Sequence, residues 1–140
     1  MDPVLHHASA VAIGQSGLLI KGPSGSGKSS LALDLIALGA TLVADDCVLL
    51  TQSKEGGILM AAPKSVEGLI EARGIGLLKV RSQTARLVAV VDLSSVESDR
   101  LPDSHETVIK GDVFPILRKV ESASFPAMLV AYLKGGRAAP

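Results

Sequence analysis

The sequence predicts an α/β domain, and three stretches of the chain carry that prediction. Residues 18–21 form a short apolar run that leads into a Gly- and Ser-rich loop and then a helical pattern over 28–38. Residues 87–93 are apolar except for one aspartate, which is typical of a strand buried on both faces of a sheet. Residues 125–133 are apolar enough to form a second helix that docks on the sheet.

Composition limits both the core and the function. The chain has 140 residues, which is the size of one domain, and 47% of them are hydrophobic while only 2% are aromatic, so the predicted core is aliphatic. Lys and Arg total 14 against 14 Asp and Glu. This charge balance and the shortage of aromatic rings argue against nucleic acid as a partner.

Cysteine content and hydropathy indicate the compartment. A single cysteine, Cys47, cannot form an internal disulfide, which fits a reducing environment. No apolar run reaches the roughly eighteen residues that a spanning helix needs. Residues 1–10 have no basic cluster before an apolar stretch, so we expect no secretory signal, no membrane partner and a cytoplasmic protein.

The first half of the chain predicts strands around one helix. Residues 11–13 and 18–21 are apolar runs separated by a segment with two glycines, which predicts a β-hairpin. Leucines recur at helical spacing over 28–38, and Gly39 follows where a left-handed cap is expected. Further strands are predicted from apolar runs at 41–44, 48–51 and 58–62.

The second half of the chain alternates short apolar runs with polar loops. The pattern predicts, in order, a helical turn at 66–70, a loop at 73–76, a strand at 77–80, the buried strand at 87–93 and an exposed loop at 94–104. Residues 113–117 resemble a short strand that Pro115 interrupts, and Gly135 with Gly136 ends the helix at 125–133.

The loop between the first hairpin and the first helix matches the phosphate-loop pattern G-x-x-x-x-G-K-[ST]. Its glycines let successive N–H groups and the helix N-terminus face the phosphates of ATP, its lysine contacts them, and its serine hydroxyl is offered to Mg²⁺. A Gly- and Ser-rich loop that only caps a helix is the alternative, but both flanking elements agree with phosphate binding. The residues are Gly22, Pro23, Ser24, Gly25, Ser26, Gly27, Lys28 and Ser29.

Two adjacent aspartates follow the apolar strand at 41–44. One carboxylate, from Asp45, suffices for a contact to Mg²⁺, and the other, from Asp46, is then available as a general base for an incoming hydroxyl. Two solvated acids at the end of a strand are the alternative interpretation.

These blocks resemble the bifunctional HPr kinase/phosphorylase family, which phosphorylates a serine of the phosphocarrier HPr and also removes that phosphate. His7 precedes Gly22 by the family's spacing, and residues 42–46 match its L-V-A-D-D. Residues 70–78 look like its signature I-E-x-R-G-[LIV]-G-[LIV]-[LIV], and 98–101 are similar to its D-R-[LIV] block. The resemblance covers roughly residues 7–117.

The resemblance implies a catalytic domain over 1–140, with a central mixed sheet flanked by helices as in HPr kinase and PEP carboxykinase. His7, Lys28, Asp46 and Arg100 are then the catalytic residues, with Asp46 as base, and Glu71 joins Ser29 at Mg²⁺. The implied partner is HPr or its nitrogen-branch paralogue, and the implied assembly is a homo-oligomer, a hexamer. Each role has a simpler alternative, because His7 also fits a surface histidine, Glu71 a solvated helix residue and Arg100 a surface salt bridge.

The chain also departs from the family. It starts almost at His7 and looks like the short, single-domain α-proteobacterial version, so we expect a protein without the additional N-terminal domain of the two-domain form. Residues 115–120 keep only part of the loop that the family uses for phosphate removal, so the reverse phosphorolysis to pyrophosphate stays open. The competing functions are a small-molecule kinase of another phosphate-loop family and a nucleotide-sensing module without catalysis.

Overall fold

The computed structural model describes residues 3–138, which form two helices and eleven strands. The helices are α1 (Lys28–Ala37) and α2 (Phe125–Gly135). The strands are β1 (Val4–His6), β2 (Ser9–Ile13), β3 (Ser16–Lys21), β4 (Thr41–Ala44), β5 (Val48–Gln52), β6 (Ile58–Ala61), β7 (Leu69–Ala72), β8 (Gly76–Lys79), β9 (Ala85–Val96), β10 (Glu106–Ile109) and β11 (Asp112–Lys119). Neither helix is long and apolar enough to cross a membrane, within the part of the chain described.

Nine of these strands form one mixed sheet. Seven follow the order β1-β5-β6-β9-β3-β2-β4, while β11 also pairs with β9 and carries β10 at its outer edge. Strands β3 and β11 lie parallel to β9, and the other neighbours are antiparallel. The α/β architecture that the sequence predicts is confirmed, and so is the mixed sheet that the family resemblance implies. Strands β7 and β8 form a separate hairpin.

Both helices pack on one face of the sheet. Leu35 of α1 and Leu129 of α2 are buried there against Ile20 of β3, and Ile70 of the β7–β8 hairpin joins the same cluster. Burying an aliphatic side chain of this size contributes about 1.5–3 kcal/mol. This layer therefore fixes α1, and with it the loop that precedes α1, against the sheet.

Strand β9 is buried on both faces, as its apolar run predicts. Ala89 and Val91 face the helices, whereas Leu87 and Val90 belong to a second cluster with Phe114. That second cluster draws its members mainly from strands β2 to β6 and β9 to β11, so the strands themselves supply the apolar packing of this face. The predicted hairpin is confirmed as β2 and β3, and Gly39, with φ 108°, ends α1 as predicted.

The predicted helical turn at 66–70 is wrong. A single 3₁₀ turn occupies Lys64–Val66, and the chain then enters strand β7 at Leu69. Gly68 between them adopts φ 74°, which stops helical continuation, and the Val80 N–H donates to the Gly68 carbonyl oxygen at 2.9 Å. The predicted loop at 73–76 is the tight turn of the β7–β8 hairpin.

Two predicted boundaries also change, because long-range pairing lengthens the strands. β9 continues to Val96, since Val96 pairs with Lys119 of β11, so the exposed loop starts at residue 97 instead of 94. Pro115 does not interrupt β11. It is the last residue of β11 paired with β10, and pairing with β9 begins at Ile116, so the missing N–H lies where the strand changes partners. Strands β1 and β10 were not predicted from the sequence.

Candidate functional site

The loop between β3 and α1 bends through left-handed glycines. Gly25 has φ 80° and Gly27, the N-cap of α1, has φ 96°. A Cβ at either position meets open space, so the conformation, not crowding, requires glycine there. The N-terminus of α1, with its positive dipole end, thereby faces a cleft.

The cleft has a volume of about 370 Å³ and a largely polar surface. Four parts of the fold that are distant in sequence meet in it: the start of β2, the phosphate loop with the first turn of α1, the end of β4, and the β7–β8 hairpin. The lining residues are Ser9, Ser24, Gly25, Gly27, Lys28, Ser29, Ser30, Asp46, Glu71 and Arg73.

The loop carries donors suited to a phosphate. The Lys28 ammonium donates to the carbonyl oxygens of Gly22 at 2.8 Å and Pro23 at 3.1 Å, which holds the charge against the loop backbone. The Ser26 hydroxyl is buried and has no hydrogen-bond partner among the described residues. Buried hydroxyls are normally paired, so an unpaired donor in this loop fits an anion ligand.

Asp45 is held by three donors. It is only 7% exposed, and its Oδ1 accepts hydrogen bonds from the hydroxyls of Ser9 and Ser29, both at 2.7 Å. Its Oδ2 accepts from the main-chain N–H of Glu71 at 3.0 Å. The three predicted metal-site residues, Ser29, Asp45 and Glu71, therefore come together in space.

The donor set of this region fits Mg²⁺. Hydroxyl and carboxylate oxygens are the hard ligands that Mg²⁺ prefers, and it commonly uses one or two carboxylates together with water and phosphate. Within residues 3–138, no group of three or more His, Cys, Asp or Glu side chains is arranged to hold a metal ion by itself. The carboxylates of Asp45 and Glu71, beside the loop that precedes α1, match this pattern of Mg²⁺ ligands.

Asp46 occupies a different environment from its neighbour. It is exposed, lines the cleft, and has φ 68°, a left-handed conformation uncommon outside glycine. The Ala8 N–H donates to the Asp46 carbonyl oxygen at 3.2 Å, which ties this turn to the segment that carries His7. His7 itself is exposed and is not among the residues that line the cleft.

His6, the neighbour of His7 in the chain, lies at the end of β1. Burial lowers the pKa of His6, and the ammonium groups of Lys21 and Lys110 lower it further. The imidazole of His6 is therefore biased toward its neutral form.

Arg100 lies in the exposed loop between β9 and β10 and does not line the cleft. Arg73, at the turn of the β7–β8 hairpin, supplies a guanidinium to the cleft wall instead. For Arg73 the sequence left two roles open, an ion pair with Glu71 and a cap on the turn. Sequence reasoning missed Ser9, whose signal was a hydroxyl within the apolar run of β2.

Comparison with known proteins places the chain in a family. Residues 2–103 match the family model described as the HPr Serine kinase C-terminal domain. The chain belongs to this family. Among HPr kinase/phosphorylases, the protein of Geobacillus sp. (strain WCH70) is 45% identical over 74 residues, which cover 53% of this chain. The protein of Bacillus subtilis (strain 168) is 37% identical over 114 residues, which cover 73% of this chain.

These matches span 24% of the Geobacillus protein and 37% of the B. subtilis protein, so the chain corresponds to a minority of each relative's length. A solved structure of the Hpr(Ser) kinase/phosphatase from Coxiella burnetii superposes with a TM-score of 0.77 at 21% sequence identity. The superposition covers 94% of this chain and 88% of that one, which confirms the predicted HPr kinase fold.

Proposed function

We propose that this chain binds ATP and Mg²⁺ in the cleft and transfers the γ-phosphoryl group to a serine of the phosphocarrier HPr or its nitrogen-branch paralogue. The observation that carries the proposal is the difference between the environments of Asp45 and Asp46. Asp45 is buried and held by three hydrogen bonds, whereas Asp46 is exposed in the same cleft. A cleft that only held a nucleotide has no need of the second carboxylate.

The phosphates bind to the loop formed by Gly22, Pro23, Ser24, Gly25, Ser26, Gly27, Lys28 and Ser29. The loop backbone and the Lys28 ammonium balance their negative charge. Ser29, Asp45 and Glu71 hold Mg²⁺, which when bound neutralises charge on the phosphate oxygens. Support for this arrangement comes from the hydroxyl of Ser29 and the N–H of Glu71, which already converge on the Asp45 carboxylate.

Asp46 accepts the proton of the serine hydroxyl as that oxygen attacks the γ-phosphorus, and ADP leaves on the opposite side. His7 assists this proton transfer from the segment tied to the Asp46 carbonyl. Arg100 does not line the cleft, so its loop has to move toward the cleft for the guanidinium to reach the transferring group.

The reverse reaction uses the same groups. Inorganic phosphate attacks the phosphoserine, pyrophosphate and serine form, and Asp46 returns the proton to the serine oxygen. We further propose that the domain spans residues 1–140, acts in the cytoplasm and assembles into hexamers, as the family resemblance implies.

A nucleotide-sensing module is the second candidate, because Arg100 is absent from the lining of the cleft. The discriminating experiment incubates γ-labelled ATP with the protein and purified HPr or its paralogue. Label on a carrier serine is the expected result. ATP that binds but leaves every carrier serine unlabelled supports the sensor and contradicts the kinase.

A further inference from the structure

The loop that carries Arg100 leaves the same edge of the sheet as the phosphate loop. β3 and β9 are parallel neighbours, with Lys21 paired to Asp92 near their ends. Segments that follow parallel strands emerge at one edge, where α/β proteins bind their ligands. The segment at 97–105, between β9 and β10, thus leaves the sheet at the edge where the cleft lies, one strand away from the phosphate loop.

The first end of this loop is fixed by a hydrogen bond to β11 and by hydrogen bonds within the loop. The Glu97 N–H donates to the Lys119 carbonyl oxygen at 2.8 Å. The Glu97 carboxylate accepts hydrogen bonds from the N–H groups of Ser98 and Asp99, both at 3.1 Å. These bonds continue the sheet into the loop and hold the approach to Arg100.

Apolar packing does not hold the middle of the loop. A cavity of about 480 Å³ lies between the loop, β11 and α2. Leu101 borders this cavity and is 77% exposed, although Phe125 and Leu129 of α2 line the other side. The far end of the loop therefore depends on polar contacts.

Arg137 supplies the side-chain contacts, beside one main-chain bond in which the Ile116 N–H of β11 donates to the His105 carbonyl oxygen at 3.0 Å. One guanidinium nitrogen donates to the Pro102 carbonyl oxygen at 2.8 Å, and the other donates to the Ser104 hydroxyl at 3.1 Å. Gly136, with φ 70°, turns the chain at the end of α2 and brings Arg137 to the loop. The planar guanidinium fork reaches two acceptors at once, which a lysine ammonium does less well.

We propose that Arg137 is a positioning residue that ties the far end of the 97–105 loop to α2, so that Arg100 closes over the cleft from a fixed base. The inference rests on the proposed kinase function, since it needs Arg100 to act on the transferring phosphoryl group. Without the hydrogen bonds of Arg137, the loop has more conformational freedom to lose each time it closes. This entropic cost of ordering the loop raises the barrier to phosphoryl transfer.

The test compares Arg137→Ala with the matched variant Lys134→Ala, which removes a cation from the same end of α2. Arg137→Ala is expected to lower kcat about 5- to 30-fold, as expected for the loss of two hydrogen bonds, and to leave the affinity for Mg·ATP unchanged. Hydrogen exchange at the amides of 98–104 should accelerate in Arg137→Ala and not in Lys134→Ala. Arg137→Lys should recover only part of the loss.

A double variant makes the test specific. Once Arg100→Ala has removed the group that the loop delivers, adding Arg137→Ala should lower kcat no further. Independent, multiplicative losses would overturn the proposal, as would full activity with unchanged exchange in Arg137→Ala. If the wild-type protein transfers no phosphoryl group, the proposed function fails, and with it the effect of Arg137 on phosphoryl transfer. The exchange rates then still show whether Arg137 holds the loop.

Discussion

Asp45 and Asp46 are chemically identical neighbours that the fold separates. β4 ends at Ala44, and Asp45 still points into the polar layer below the phosphate loop, where two serine hydroxyls and one N–H bind it. Asp46 then takes a left-handed conformation that leaves it exposed in the cleft. Strained non-glycine conformations concentrate at functional sites, and this outlier supports a role for Asp46.

Asp46→Asn tests the base assignment. The substitution keeps the shape of the side chain but removes its ability to accept a proton, so kcat for serine phosphorylation should fall by about 10²- to 10⁴-fold. The affinity for Mg·ATP, measured by calorimetry, should change little. A variant that phosphorylates the carrier at the wild-type rate shows that Asp46 is not the base.

Asp45→Asn tests the role of the buried carboxylate. The asparagine amide turns an NH₂ group toward either the serine hydroxyls or the Glu71 N–H, so at least one buried donor loses its acceptor. We expect the free energy of unfolding to fall by about 1–3 kcal/mol. Urea denaturation measures it, with the exposed Asp34→Asn on α1 as the control. Equal stability of both variants contradicts this account of Asp45.

At the scale of elements, the β7–β8 hairpin brings Glu71 and Arg73 to the cleft. The sequence predicted a helical turn at 66–70, where the hairpin begins, because Val66, Leu69 and Ile70 are apolar at near-helical spacing. The pairing of Leu69 with Lys79 and Ile70 with Leu78 overrides that local pattern, and the left-handed Gly68 is the point of change. A single sequence cannot reveal the cross-strand partner that decides between the two structures.

Gly68→Ala tests how strictly the hairpin is positioned. Gly68 and Gly74 both have positive φ, but a Cβ at Gly68 lies 3.1 Å from the Val80 carbonyl oxygen, whereas one at Gly74 meets open space. A left-handed alanine costs about 1–2 kcal/mol at either site. Gly68→Ala should therefore lower the free energy of unfolding more than Gly74→Ala does, as measured by urea denaturation. Equal losses contradict the crowding at Gly68.

The sequence was most informative about features that residues close together in the chain decide. Gly39 ends α1, the run at 87–93 is buried on both faces, and the phosphate-loop pattern lies between β3 and α1. Strands β1 and β10 were missed because each is short, with little buried side chain, and is defined by its partner. Whether β1 and β10 form depends on pairing with distant residues and not on local composition.

For the whole molecule, the sheet order assembles the cleft from distant segments. β2 lies between β3 and β4, so Ser9 on β2 pairs with Ile20 near the end of β3, and its hydroxyl donates to Asp45 after β4. Lys28, Ser29 and the two aspartates were predicted from motifs. The contributions of Ser9 and Arg73 depend on sheet order and hairpin geometry, which no motif encodes.

The central claim is that the cleft beside α1 binds the phosphates of ATP. The most direct measurement is the affinity for Mg·ATP of the wild-type protein and of Lys28→Ala, by calorimetry on folded samples, with the exposed Lys64→Ala as the control. Loss of a hydrogen bond to a charged group costs about 1.5–3 kcal/mol, so Lys28→Ala should bind about 10- to 100-fold more weakly. Unchanged affinity in a folded Lys28→Ala protein contradicts the account.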